Sequence, residues 1–268
     1  MPQPPKDLKD IQSLVQIISD LRGPDGCPWD KAQDHKSLAS YAIEEVHELV
    51  EAIESANENH ICEELGDVLF QVVLHSQLAS ERNAFSMADV IFAIASKIVR
   101  RHPHVFSDVK VSSQDEVLKN WDEIKKLEKK NSLVLQKTIQ VPEGLPALQR
   151  AFKIGEKTEK LNFDWSKISE VLQQLKAEIT ELEEALAETP STHQEENIFH
   201  ELGDILFSTA QVARHLKIEP ESSLREANRR FIKRFEMMLS LGKLSAEEFK
   251  NILPADKESL WNAAKKEC

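Results

Sequence analysis

Glycine is scarce in this chain of 268 residues. There are 7 in all, with a single tyrosine. A β-sandwich or a doubly wound sheet needs more turn glycines and more β-branched and aromatic runs than this. The three cysteines, Cys27, Cys62 and Cys268, are odd in number and share no ligand-like spacing. That argues against a disulfide framework or a zinc site and for reduced thiols in a cytoplasm. No apolar run approaches the roughly 18 residues that cross a bilayer, so no membrane partner is expected. The opening MPQPPKDLKD lacks the apolar centre of a signal peptide. Positive charge is short as well: 34 Lys and Arg against 46 Asp and Glu give a net charge of −12. A surface of that sign repels phosphate backbones, so nucleic acid is not expected as a partner either.

Helical periodicity is what the chain does have. Leu8, Ile11, Val15 and Ile18 lie on one face of a helix that stops before Gly23-Pro24. The loop 23–30, GPDGCPWD, is the strongest punctuation in the sequence. Helical patterns follow at 37–56, 60–80 and 88–101. His102-Pro103-His104 interrupts them before a charged helix at 113–130. The stretch 131–146 carries Pro142, Gly144 and Pro146 and reads as a linker between a domain at 1–130 and another at 147–268. Helices resume at 147–161, 168–188, 192–216, 222–241 and 256–266.

The two halves are copies. Glu64-Leu-Gly-Asp67-Val-Leu-Phe70 returns as Glu201-Leu-Gly-Asp204-Ile-Leu-Phe207. Lys97-Ile-Val-Arg-Arg101 parallels Arg230-Phe-Ile-Lys-Arg234, and Trp121 with Lys125-Lys126 parallels Trp261 with Lys265-Lys266. Pro28-Trp29-Asp30 has a fainter echo in Phe163-Asp164-Trp165. Matches in the same order indicate internal duplication.

Acids recur at helical spacing in both copies. Glu45 and Glu48 share one helix face and Glu64 and Asp67 share the next; Glu178, Glu181, Glu201 and Asp204 repeat the arrangement. Apolar Leu65, Val68, Leu69 and Val72 flank Glu64 and Asp67, which puts these acids beside a buried stripe rather than on a solvated face. Four carboxylates brought together by antiparallel neighbours repel unless a cation sits among them. Hard oxygen ligands without Cys or His favour Mg²⁺ or Mn²⁺. Gly66 and Gly203 sit inside helices, where glycine costs about 1 kcal/mol against alanine, and they suggest close helix approach beside the acids. Glu44-Glu45-Val46-His47 contains a Glu-x-x-His, but Thr180 replaces the histidine in the second copy, so a di-iron bundle is disfavoured. The chain holds no G-x-S-x-G elbow and no G-x-x-x-x-G-K-[ST] loop.

Glu44-Glu45-x-x-Glu48 followed by Glu64-x-x-Asp67 resembles the signature of the MazG family. Gly26-Cys-Pro-Trp-Asp30 and Arg101-His-Pro-His-Val-Phe106 also resemble family hallmarks, and the resemblance spans nearly the whole chain. It implies an all-α fold, a tandem pair of helical modules, and Mg²⁺-dependent hydrolysis of nucleoside triphosphates to monophosphate and pyrophosphate. It implies metal ligation by Glu45, Glu48, Glu64 and Asp67 and by Glu178, Glu181, Glu201 and Asp204. Glu45, Glu48, Glu178 and Glu181 are then the catalytic candidates. Lys97, Arg101 and Trp121, with Arg230, Arg234 and Trp261, fall where the family binds nucleotide. Two-copy members are credited with catalysis mainly in the second copy, whereas the complete motif here is in the first, where Ala177 does not interrupt it. Both copies therefore stand as candidate sites. Unpartnered apolar stripes and the resemblance together imply a homodimer. Two alternatives remain: a related all-α pyrophosphohydrolase acting on dUTP or phosphoribosyl-ATP, and a non-catalytic helical regulator that senses nucleotides.

Overall fold

A computed structural model describes residues 2–130 and 139–267. The first part of the expected linker, 131–138, and Cys268 lie outside the described residues. The described residues form helices and turns with no strand, an all-α fold as the sequence leads one to expect. The chain divides into two compact units, Met1–Leu133 and Val134–Cys268.

The first unit contains α1 (Ile11–Arg22), α2 (Pro28–Ala32), α3 (Ala39–Glu54), α4 (Glu58–Ser80), α5 (Met87–Arg101), α6 (Pro103–Phe106) and α7 (Gln114–Lys130). Its centre is α4, which packs against α3 on one side and α1 on the other. Ile18 of α1, Leu38, and Val73, Leu74 and Leu78 of α4 form the buried core, with Leu14, Val15, Phe70 and Met87 against it. The loop 23–30 folds tightly because Gly26 lies on the backbone of α1. A Cβ there would overlap the Leu21 carbonyl, while the Cys27 N–H donates to that same carbonyl at 2.7 Å. Pro28 then opens α2 at a position where its missing N–H is no loss. Arg22 fastens the loop to α4 through its guanidinium, which donates to the Asp30 carbonyl and pairs with Glu81 at 2.7 Å.

The second unit contains α8 (Ala147–Glu159), α9 (Ile168–Ala187), α10 (Thr192–His215), α11 (Pro220–Gly242), α12 (Ala246–Asn251) and α13 (Pro254–Glu267). Here α10 takes the central place, between α9 and α8, and α11 packs on α13. Apart from Met238 the buried apolar residues are small, Ala151, Val171, Ala185, Ala210 and Ala264, which lets the helices approach closely. Gly155 of α8 carries this furthest, since a Cβ there would collide with the side chains of Gln211 and Arg214. Those two buried polar groups are fully engaged. Gln211 donates to the Ala151 carbonyl at 2.8 Å, and Arg214 bonds Gln211, Asp164 and Glu159. At the α9–α10 turn the buried Gln194 amide donates to the carbonyls of Ala185 and Glu188, at 3.1 and 2.9 Å. Carbonyls that α9 leaves unpaired at its end are thereby satisfied.

The helix boundaries depart from the periodicity at short elements. α2, α6 and α12 are too brief to show a period, and Pro103 opens a helix where the sequence suggests only an interruption.

Burial raises the Asp164 carboxyl, but its bonds to Arg214 and His215 outweigh this and hold it below its ordinary value. A carboxyl depressed on folding contributes stability that is present above its unfolded pKa, about 3.9, and is lost as pH falls through the folded value. Asp164→Asn is expected to destabilise the second unit at pH 7 by about 1.5–3 kcal/mol. In denaturant melts the gap to the parent chain closes as pH drops below 4; a gap that is constant with pH contradicts the ion pair. Gly155→Ala is expected to cost about 1–3 kcal/mol through overpacking, measured by the same melts.

Candidate active site

The acid seam arises where α4 folds back on α3. Ala56 adopts left-handed backbone, φ 53°, and Asn57 caps α4 by accepting from the His60 N–H at 3.3 Å. This brings Glu45 and Glu48 of α3 opposite Glu64 of α4, and carboxylate oxygens of the three lie within 4.8 Å of one another. Glu64 is buried, Glu45 half-buried and Glu48 exposed. Asp67, exposed, falls outside this tight group but its charge reaches Glu45. The Glu45 carboxyl is pushed above its ordinary value, first by burial and then by Asp67, Glu48 and Glu64, against the lowering effect of the Gln71 amide at 3.4 Å. Glu64 Oε1 meets His60 Nε2 at 2.9 Å, and its Oε2 is buried with no hydrogen-bond partner.

The second unit repeats the seam with other members. Oxygens of Glu178, Glu201 and Asp204 lie within 4.8 Å of one another, and Glu181 is the acid left outside. The Glu201 carboxyl is raised, by desolvation first and then by Glu181, Asp204 and Glu178, while His200 opposes the shift. In each copy, then, three acids crowd and the fourth acts on them through its charge. Each copy also supplies one amide to the acid on its first seam helix, from different places: Gln71 comes from α4, whereas Gln174, at 2.7 Å from Glu178, comes from α9 itself. Sequence reasoning passes over Gln71, Gln174 and His60, because a lone amide or histidine on a helix carries no motif.

The basic residues lie on α5 and α11, the helices that follow the seams, and the tryptophans on α7 and α13. Arg101 closes α5 and pairs with Glu128 of α7 at 2.6 Å, as does Arg100. Trp121 of α7 meets His102 edge-on at 5.0 Å and lies under Lys125 at 5.5 Å. Lys97 is exposed. In the second unit Trp261 packs on Phe231 at 5.2 Å and lies under Lys265 at 5.7 Å, while Arg230 pairs with Glu226 of its own helix at 3.5 Å. Arg234 is half-buried, with Nε unpartnered. Among the described residues no hydrogen bond or ion pair joins Lys97, Arg101, Arg230 or Arg234 to an acid of its quartet.

Gly66 and Gly203 correct the expectation of close helix approach. A Cβ at either would meet no heavy atom within 4 Å among the described residues. The helix face beside the acids is open there. His35 and His75 stack, with Nδ1 atoms 2.8 Å apart, and His35 also meets Arg82.

The model of the MazG nucleotide pyrophosphohydrolase domain matches the chain twice, at residues 33–106 and 167–238, together more than half its length. A Thermotoga maritima protein named nucleoside triphosphate pyrophosphohydrolase/pyrophosphatase MazG is 41% identical over 262 residues, 95% of either chain. The Escherichia coli (strain K12) nucleoside triphosphate pyrophosphohydrolase is 35% identical over 263 residues, 97% of this chain and 98% of its own. An uncharacterised Bacillus subtilis protein, YabN, is 45% identical over 256 residues, 96% of this chain, which spans about half of YabN (52%).

Open space at the two glycines makes a direct test. Gly66→Ala and Gly203→Ala should each stabilise the free chain by up to about 1 kcal/mol, the helix-propensity difference, as read by thermal melts. Destabilisation of the free chain would show the face to be occupied.

Proposed function

Because the chain belongs to the MazG nucleotide pyrophosphohydrolase family, we propose that it hydrolyses nucleoside and deoxynucleoside triphosphates to the monophosphate and pyrophosphate with a divalent cation, Mg²⁺ or in its place Mn²⁺. The observation that carries this reading is the duplicated seam, in which three carboxylates crowd within 4.8 Å in each unit. The residues fit such an ion. Every donor is a carboxylate oxygen, Glu45 and Glu201 are held above their ordinary values by like charge and burial, and Glu64 keeps a buried oxygen without a partner. Glu45, Glu48, Glu64 and Asp67 would hold it in the first unit, and Glu178, Glu181, Glu201 and Asp204 in the second. When bound, the cation neutralises phosphate oxygens and lowers the pKa of a water it coordinates.

The protein's own part is positioning and charge. Glu45 or Glu178, each already tied to an amide, orients the attacking water and accepts its proton. Lys97 and Arg101, or Arg230 and Arg234, hold the triphosphate tail and stabilise the charge on the departing group. Trp121 and Trp261, under Lys125 and Lys265, offer flat apolar surface to the nucleotide. Such chemistry needs in-line placement and charge neutralisation more than covalent catalysis. The two modules, 1–130 and 147–268 joined by 131–146, each carry one such set.

A homodimer belongs to the same proposal. α5 has no buried residue, and it exposes Phe92, Ile94 and Ile98, while α11 exposes Phe231 and Ile232. Covering such faces with a second copy is what a symmetric helical assembly does. The cytoplasm, where nucleotides and thiols such as Cys27 and Cys62 stay reduced, is the compartment that fits.

Glu64→Gln and Glu201→Gln, singly and together, assign the two seams. The double variant should lose at least about 100-fold in turnover with the helical circular dichroism intact, and the more damaging single change marks the working copy. Products separate the readings: monophosphate and pyrophosphate support the proposal, while diphosphate and phosphate refute it. Chelation should abolish turnover, and added Mg²⁺ should raise the melting temperature by relieving repulsion in the seam.

A further inference from the structure

The two copies differ at the cations expected to hold phosphate. In the first unit both oxygens of Glu128 are taken. Arg100 donates Nε to Oε1 at 2.8 Å, and Arg101 approaches Oε2 at 2.6 Å. The carboxyl is held down to about 2, first by its bond to Arg101 and then by that to Arg100. Three polar groups of the same unit have nothing to bond. Arg101 Nε, His104 Nδ1 and Trp121 Nε1 are all buried without a hydrogen-bond partner. Two guanidiniums on one carboxylate form a lining suited to an oxyanion with more oxygens than Glu128 provides.

The second unit keeps an arginine at the corresponding place, and among the described residues no carboxylate is paired with it. Arg234 stands where the first copy has Arg101, and its Nε is likewise buried and unpartnered. Trp261 and Lys265 repeat Trp121 and Lys125. Among the described residues Arg234 has no ion pair.

We infer that Glu128 is a resident anion in the phosphate-binding lining of the first unit, which a substrate's phosphates must displace, and that this residue sets the affinity of the first unit below that of the second. This rests on the reading of Arg101 and Arg234 as phosphate-holding residues. Displacement acts as a competing state. The apparent affinity falls by the fraction of time the arginines are free of Glu128. The pair is partly exposed, at 23% for Glu128, so the penalty is moderate, of the order of 3–10-fold.

The test uses the full chain with one seam disabled at a time. In a Glu201→Gln background, which reports the first unit, Glu128→Ala and Glu128→Gln are compared with Glu128 intact. Inorganic tripolyphosphate binding is measured by calorimetry with Mg²⁺ present, and the KM for a nucleoside triphosphate by pyrophosphate release. Tripolyphosphate should bind about 3–10-fold more tightly in both variants, with a lower KM. In a Glu64→Gln background, which reports the second unit, the same changes should leave both values where they were. Weaker binding or a fall in kcat would show that Glu128 orients the arginines, and an unchanged first unit would show that it does not compete; either overturns the inference. Arg101→Ala in the Glu201→Gln background isolates the underlying reading. If tripolyphosphate binding there is unaffected, the fault lies in assigning Arg101 to phosphate and not in the role of Glu128. Circular dichroism melts confirm that each variant folds.

Discussion

Carboxylates that share a helix seam repel one another, and apolar packing behind the seam holds them together. In the first unit, Val73, Leu74 and Leu78 of α4 lock against Ile18 and Leu38, and the same helix carries Glu64 and Asp67 two turns earlier. In the second, the α9–α10 hairpin is closed by the buried Gln194 amide. The raised carboxyls of Glu45 and Glu201 are the mark of that opposition. The fold stores unfavourable electrostatics at one place in each unit, which a bound divalent cation would relieve. Arrangement of like charge against packing is the constraint on which the positions of the other site residues depend.

Much of this was legible in the sequence because long helices have a period. Glu45, Glu48, Glu64 and Asp67 fall on helix faces by spacing alone, and the duplicated Glu-Leu-Gly-Asp stretch shows that the spacing is repeated. Which three of four acids crowd is a different matter. Spacing does not decide it: the turn is 55–57 in the first unit and the longer 188–191 in the second, and the odd acid out is Asp67 in one and Glu181 in the other. The glycines mislead for a related reason. A glycine in a helix tells where a Cβ is absent but not what, if anything, lies opposite, and at Gly66 and Gly203 the space is open. Glycines whose absent Cβ matters are Gly26 and Gly155, which sit against the backbone of α1 and the side chains of α10.

Duplicated units drift where packing permits. Residues that the helix seam needs are kept in type and in place, whereas their supports are exchanged. Leu74 in the α4 core gives way to Gln211 in α10, and a polar network through Arg214 and Asp164 does in the second unit what aliphatic contact does in the first. His60 on α4 corresponds to Asn197 on α10, and each meets a different glutamate, Glu64 in one and Glu188 in the other. A buried polar network needs all its members satisfied, so the second unit is the less forgiving of single changes in its interior.

The carboxylate of Glu128 has a consequence for how one chain answers a changing supply of ligand. Two equal sites fill over a narrow span of concentration. Two sites that one internal competitor separates by about 3–10-fold fill over a wider span, the unobstructed one running ahead of the other. A duplication followed by the gain or loss of a single acid is enough to broaden the concentration range over which a repeated module responds.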